Sequence, residues 1–143
     1  MRARARVGIV AALATVLVGA TSTAAYADYN TGGCRTANGD AGGLDCWVMF
    51  WDDGVALGGG DFHAYGERLS AYDSWADGRG VYVGATWWEG STRHDNGFKL
   101  TSGANTSRSL DLGNIPEGTS VTFTSCQTDD GALLNCRTQT ARA

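Results

Sequence analysis

The spacing of the four cysteines constrains the fold of this chain more than any other feature. Cys34 and Cys46 flank a short segment rich in Asn, Gly and Asp, and Cys126 and Cys136 flank another. A tight turn inside each segment would place the two cysteines opposite each other on a hairpin, where a cross-strand disulfide can form. Of the three pairings that four cysteines allow, we therefore expect these two local ones. The spacings differ from the short C-x2-C pairs that bind zinc.

The N-terminal segment has the three-part layout of a secretory signal peptide. A head with three arginines precedes the apolar run 7–20, and an A-x-A cleavage signature ends at Ala27. The apolar run is shorter than the roughly 20 residues of a membrane-spanning helix. We expect residues 1–27 to be removed on export and residues 28–143 to form one secreted, extracellular domain. In that oxidising environment an even number of cysteines is typical of a disulfide framework.

The charge balance argues against two classes of partner. The sequence has 11 Lys and Arg against 15 Asp and Glu, and removal of the three arginines in 1–27 takes the formal net charge from −4 to about −7. A nucleic-acid-binding protein needs a basic face, and an anionic membrane would repel an acidic surface. We therefore expect neither nucleic acid nor membrane as a partner.

Short apolar runs separated by glycine-rich turns predict an all-β domain. The chain contains 21 glycines and one proline, and no window keeps apolar residues at helical spacing. The pattern predicts about eight strands that form an antiparallel β-sandwich, with a closed barrel as the main alternative. The first of them is a continuous apolar run, typical of a strand that is buried on both faces. The predicted strands are 46–51, 61–65, 68–73, 80–88, 98–101, 109–112, 120–128 and 133–140.

The sequence contains no recognisable catalytic or metal-binding motif. The only histidines are His63 and His94, and neither belongs to a nucleophile or zinc motif. The aspartates that could form a carboxylate pair precede glycines, where aspartate commonly initiates a turn. A small hydrolase built on these carboxylates is therefore the least favoured hypothesis. We expect a protein that is not an enzyme and needs no metal or cofactor.

Aromatic residues are the best indication of a binding surface. Trp87 and Trp88 are adjacent on a predicted strand, so their side chains point to opposite faces. If one is buried, the other faces solvent or a partner, unless the loop 89–96 covers it. An exposed tryptophan is a frequent anchor for a protein partner and also stacks on sugar rings. We take Trp88 as a candidate contact residue.

The segment before the first cysteine is a second candidate for partner binding. Residues 28–33 contain no apolar anchor except Tyr29, so we expect a short disordered arm. Such an arm can add to a partner's cleft or to the edge of its sheet. The candidate contact residues in the arm are Asp28, Tyr29, Asn30 and Thr31.

Parts of the chain resemble the small secreted, disulfide-containing β-sandwich proteins of Streptomyces and related bacteria. The resemblance lies in Tyr65-Gly66-Glu67-Arg68-Leu69, in 73–78 and in Ile115-Pro116-Glu117-Gly118-Thr119. In size and layout the chain is similar to the adaptor subunit of umbrella toxin particles. That resemblance implies a non-enzymatic bridge between a large polymorphic toxin and a lectin-bearing, trypsin-like subunit. It also implies that the arm 28–33 inserts into one of these partners.

The proteinaceous α-amylase inhibitors of the same bacteria are a further comparison. They too are secreted β-sandwiches with two disulfides, but their Trp-Arg-Tyr contact tripeptide is absent from this sequence. We therefore expect a secreted protein that acts by binding, with an adaptor as the first hypothesis. A carbohydrate-binding module or lectin and an enzyme inhibitor are the alternatives.

Overall fold

The structure is a computed structural model that describes residues 28–143. The signal peptide that we predict for residues 1–27 lies outside the described residues. Over 28–143, no helix has the length and apolarity needed to cross a membrane.

Nine antiparallel strands make up most of the described chain. They are β1 (Tyr29–Thr36), β2 (Leu44–Asp52), β3 (Val55–His63), β4 (Arg68–Asp73), β5 (Gly80–Glu89), β6 (Thr92–Leu100), β7 (Thr106–Asp111), β8 (Ser120–Asp129) and β9 (Ala132–Arg142). The prediction of an all-β fold is confirmed, with nine strands in place of eight.

The strands form two well-paired groups that pack face to face. Their order is β6-β5-β8-β9-β2-β3-β4-β7. β1 lies outside this order and pairs with β2. The group β6-β5-β8-β9 meets the group β1-β2-β3-β4-β7 at one backbone pair, Leu44 with Arg142. At the open edge, the guanidinium of Arg108 on β7 lies 4.6 Å from the ring centroid of Phe98 on β6. The antiparallel sheet is therefore nearly closed, with the two layers of a sandwich and the continuous path of a barrel.

The core lies between the two groups and is built from alternate residues of each strand. On β2, Cys46, Val48 and Phe50 are fully buried, whereas Trp47 is 37% exposed and Met49 is part-buried. The prediction that this strand is buried on both faces is therefore wrong. No second layer covers the outward face of β2 in the described part of the chain. Alternate residues of its apolar run therefore lie in the core and on the surface.

Both disulfides predicted from the cysteine spacing are confirmed. Cys34 and Cys46 are register partners in the β1–β2 hairpin. Cys126 and Cys136 join β8 to β9 beside a register shift in that hairpin. Disulfides of this kind persist in oxidising compartments, so the fold itself indicates one.

The prediction of a disordered N-terminal arm is wrong. β1 begins at Tyr29 and pairs with β2 without a break, from Tyr29 opposite Trp51 to Thr36 opposite Leu44. Backbone hydrogen bonds to β2 and the Cys34–Cys46 disulfide hold β1 in place. The prediction considered only apolar side chains as anchors.

The two layers approach each other closely at Gly60. A Cβ atom at this position would overlap Val83 Cγ1 and would lie 2.9 Å from Ser125 Oγ. We expect Gly60→Ala to lower the free energy of unfolding by about 1–3 kcal/mol, because an added methyl overpacks the core. The measurement is urea denaturation of the folded protein.

Gly33→Ala is the matched control for this substitution. A Cβ at Gly33 would lie 3.6 Å from the Trp47 ring, which is ordinary contact. The free energy of unfolding should then change by no more than about 0.5 kcal/mol. Equal effects of the two substitutions would contradict a tight layer contact at Gly60.

The Cys34–Cys46 disulfide should stabilise both the fold and the pairing of β1. Its cysteines are 12 residues apart, and the chain-entropy model gives about 3 kcal/mol for a loop of that length. We expect Cys34→Ala/Cys46→Ala to lower the free energy of unfolding by about 2–3 kcal/mol and to speed amide hydrogen exchange in 29–36.

The matched control is Cys126→Ala/Cys136→Ala, which opens a similar loop of separation 10. It should destabilise the protein by a comparable amount and leave the amides of 29–36 protected under native conditions. Equal exchange of β1 in the two variants would show that the first disulfide does not hold this strand.

Candidate functional site

A patch of five large side chains lies on the outward face of β1 to β4. None of the five belongs to the core, and Tyr29 is the most exposed of them at 47%. Because β2 places every second residue outward, it contributes three members from one strand. We call this patch the aromatic face; it consists of Tyr29, Trp47, Met49, Trp51 and Tyr72.

The strand register arranges these side chains in rows. Tyr29 lies opposite Trp51 across β1 and β2, and Met49 shares a row with Gly59 and Tyr72. From residue 47 to residue 51 the patch extends about 13 Å along β2, and from β1 to β4 it extends about 14 Å across the strands. The aromatic face is therefore about as wide as it is long.

Two glycines allow rings of the aromatic face to lie along the sheet. A Cβ at Gly59 would lie 2.7 Å from Tyr72 Oη, and a Cβ at Gly33 would lie 3.6 Å from the indole of Trp47. The Tyr72 ring thus occupies the space that a side chain at Gly59 would fill, and the Trp47 ring lies in contact range of Gly33. The two glycines therefore leave room for these rings on the outward face of the sheet.

Stacking and hydrogen bonds fix the orientation of three rings. The rings of Tyr29 and Trp51 are stacked at 6.4 Å and 11°, and Trp51 Nε1 donates to Thr31 Oγ1 at 2.9 Å. Tyr72 Oη donates to Met49 Sδ at 3.5 Å. Burial, with a smaller contribution from the charge of Asp61, raises the pKa of Tyr72 to about 12. The phenol is therefore a neutral donor over the whole physiological range.

Polar side chains border the aromatic face. Asp61 and Ser70 continue the row that begins at Trp47, and Arg35 Nε lies 4.0 Å from Asp45 Oδ2. Desolvation by burial raises the pKa of Asp61, against the opposing charges of nearby cations. An apolar centre with a polar border is the usual anatomy of a binding surface.

The structure separates the residues predicted for the arm. Tyr29 and Thr31 lie on the aromatic face, whereas Asn30 points the other way, where its Nδ2 donates to the carbonyl of Asn135 at 3.0 Å and to Asn135 Oδ1 at 2.7 Å. Asp28 forms an ion pair with Arg79. Asp28 and Asn30 thus hold β1 in place, and Tyr29 and Thr31 remain as contact candidates.

Trp88 is exposed but lies apart from the aromatic face, on β5 of the other group. It is 56% exposed and Trp87 is 5% exposed, which confirms that adjacent residues of this strand point to opposite sides. Trp87 stacks on His94 at 5.1 Å and 9°, and its Nε1 donates to Glu89 Oε1 at 3.2 Å. The segment 89–96 therefore packs on Trp87 and leaves Trp88 open.

Sequence reasoning missed most of the aromatic face. The continuous apolar run 46–51 predicts a strand buried on both faces, which hides Trp47, Met49 and Trp51, and the sequence gives no signal for Tyr72. A signal for their exposure exists in the sequence: Asp45, at the same alternation as these three residues, is charged, whereas the intervening positions are all apolar. The period of two then predicts one solvent-exposed face and one buried face for this strand.

The ionisation of Asp61 should make stability depend on pH. Because burial raises its pKa in the folded protein, the folded state binds more protons than the unfolded state above about pH 4. Stability is therefore lost as the pH rises from there through the folded-state pKa. We expect Asp61→Asn to gain stability relative to the natural protein at pH 7 and to lose that advantage at pH 4, as measured by urea denaturation. A difference that is the same at both pH values would contradict this.

Comparison with known proteins leaves the aromatic face as the main guide to function. No family model, no curated protein and no solved structure matches this chain. The resemblance to streptomycete adaptor subunits accordingly stays a prediction.

Proposed function

We propose that this chain is a non-enzymatic secreted binding protein that docks on a partner protein through its aromatic face. The observation that carries the proposal is the grouping of two tryptophans, two tyrosines and a methionine on one outward sheet face. Tyr29 and Trp47 are exposed, and the other three side chains are half-buried beside them. Tyrosine, tryptophan and methionine are enriched at the centre of protein interfaces, where they supply most of the binding energy. Contiguous apolar patches on a soluble protein commonly mark such interaction sites.

The shape of the aromatic face supports a protein partner over a single glycan chain. A glycan chain is about one ring wide, whereas this patch extends about 14 Å across four strands. Its rings are held before binding by stacking and by the Trp51–Thr31 hydrogen bond. Such preorganisation lowers the entropy that is lost when the surface docks on a partner.

An adaptor role agrees with these features. The two disulfides and the predicted signal peptide support action outside the cell, and the resemblance to umbrella-particle adaptors supports a bridge between a large toxin and a lectin-bearing subunit. The N-terminal residues would contribute differently from what that resemblance implies. Residues 29–33 are part of the sheet, so Tyr29 and Thr31 would contact a partner from within β1 and not as a free peptide.

The test is an affinity capture from the producing organism's culture supernatant, followed by mass spectrometry. Trp47→Ala removes the indole at the centre of β2, and we expect it to reduce capture of the partner at least about 30-fold, the size of a hot-spot loss of 2 kcal/mol. Trp88→Ala is the matched control, since it removes an equally large exposed side chain from the other group, and its capture should be unchanged.

Both variants should first show the natural protein's urea midpoint, so that a loss of capture is not a loss of folding. Equal recovery of the partner by Trp47→Ala and by the natural protein would overturn the proposal. Retention on an insoluble polysaccharide, lost in Trp47→Ala, would instead assign the aromatic face to a glycan surface.

A further inference from the structure

A cleft lies at the end of the fold where β5 begins. Its volume is about 510 Å³, and its walls come from the segments 73–80, 101–104 and 128–131. Trp75, which is 53% exposed, lines both this cleft and an adjoining hollow of about 420 Å³. The indole is thus open to a ligand in either space.

The loop that carries Trp75 is held by its own hydrogen bonds. Asp73 Oδ1 accepts from the backbone N–H of Trp75 at 3.2 Å, and Asp77 Oδ1 accepts from the N–H of Arg79 at 2.9 Å. The N–H of Ser74 donates to the carbonyl of Leu57 at 2.9 Å, which ties the loop to β3. The exposed indole is therefore presented by a fixed loop.

The cleft lining combines hydrogen-bond donors and acceptors. The lining residues Arg79, Thr101, Thr128 and Asp130 carry a guanidinium, two hydroxyls and a carboxylate, and the guanidinium is ion-paired with Asp28. Asp73 is 4% exposed, and its Oδ2 is buried without a hydrogen-bond partner among residues 28–143. Four lining residues are glycines, which allow a ligand to approach the backbone: Gly78, Gly80, Gly103 and Gly131.

We propose that this cleft is a saccharide-binding site in which Trp75 stacks on a sugar ring. A sugar ring has an apolar C–H face that packs on an indole and hydroxyls that both donate and accept hydrogen bonds. An exposed aromatic ring beside a few mixed polar groups, in a cleft of 300–1,000 Å³, is the general form of a small-molecule site. A short oligosaccharide meets each of these features.

A cationic peptide side chain is the competing ligand for this cleft. A lysine or arginine side chain could also stack on Trp75 and pair with Asp130. Arg79 also lines the cleft, but its guanidinium is ion-paired with Asp28, so its charge does not by itself repel such a side chain. The hydroxyls of Thr101 and Thr128 favour a sugar, because sugar hydroxyls both donate and accept hydrogen bonds, whereas a cationic side chain only donates.

This site goes beyond the proposed docking surface, with which it shares no residue. Trp88, the other strongly exposed tryptophan, lies eight residues along β5 from the cleft residue Gly80, a distance of about 26 Å. Substitutions of Trp47, Trp75 and Trp88 therefore test three separate places on the molecule. Failure of the saccharide site leaves the result for the aromatic face unaffected, and the reverse also holds.

The experiment is titration calorimetry with the secreted protein and four probes: chitotetraose, cellotetraose, maltotetraose and mannotetraose. We expect at least one to bind, Trp75→Ala to weaken its affinity tenfold or more, and Trp47→Ala and Trp88→Ala to leave its affinity within twofold. Asp130→Asn should weaken it at least threefold with the fold intact, because asparagine tolerates the positive φ of 45° at that position.

Three results would overturn the proposal. They are no heat of binding for any probe at millimolar concentration, an affinity unchanged by Trp75→Ala, or tighter binding of N-acetyl-arginine amide than of every saccharide. The urea midpoint of each variant is measured first, and Asp130→Asn supplies the test if Trp75→Ala fails to fold.

Discussion

The backbone pairing of β2 on both sides is the constraint on which the rest of the molecule depends. β2 forms long ladders with β1 and β3, and its first residue, Leu44, also pairs with Arg142 of β9. Its inward residues fill the core, and its outward residues form the centre of the aromatic face. A strand in this position cannot slip by one residue, since a slip would exchange the two sets and put Trp47 in the core.

β1 shows how a polar segment becomes ordered without a hydrophobic anchor. Its outer side supplies Tyr29 to the aromatic face, and its inner side meets a polar network, not the core. In that network Asn30 donates to Asn135, and Asn135 Nδ2 donates to Gln127 Oε1 at 3.1 Å. Gln127 is 2% exposed, so these hydrogen bonds satisfy a buried polar group that would otherwise destabilise the seam between β1 and β9.

The features that the sequence predicts well are local, and those that it misses depend on distant partners. The Cys126–Cys136 bridge follows from a turn, and the opposite exposure of Trp87 and Trp88 follows from strand alternation. The exposure of Trp47 depends on whether a second layer covers β2, and the local signal for it is a single charged residue, Asp45, next to a continuous apolar run. β3 begins at Val55, whereas the predicted strand begins at residue 61. The prediction starts too late because the glycines at 58–60 resemble a turn. Gly60 is in fact required within the strand by the side chain of Val83.

The aromatic face and the cleft meet at the ion pair between Asp28 and Arg79, which decides whether binding at one place alters the other. Asp28 precedes Tyr29 of the aromatic face, and Arg79 lines the cleft. A ligand that drew Arg79 away would release only this pair, whose side chains are 24% and 32% exposed. Ion pairs at such exposure contribute at most about 1 kcal/mol, or about fivefold in affinity. The two sites would therefore act almost independently, so a substitution in one should leave binding at the other nearly unchanged.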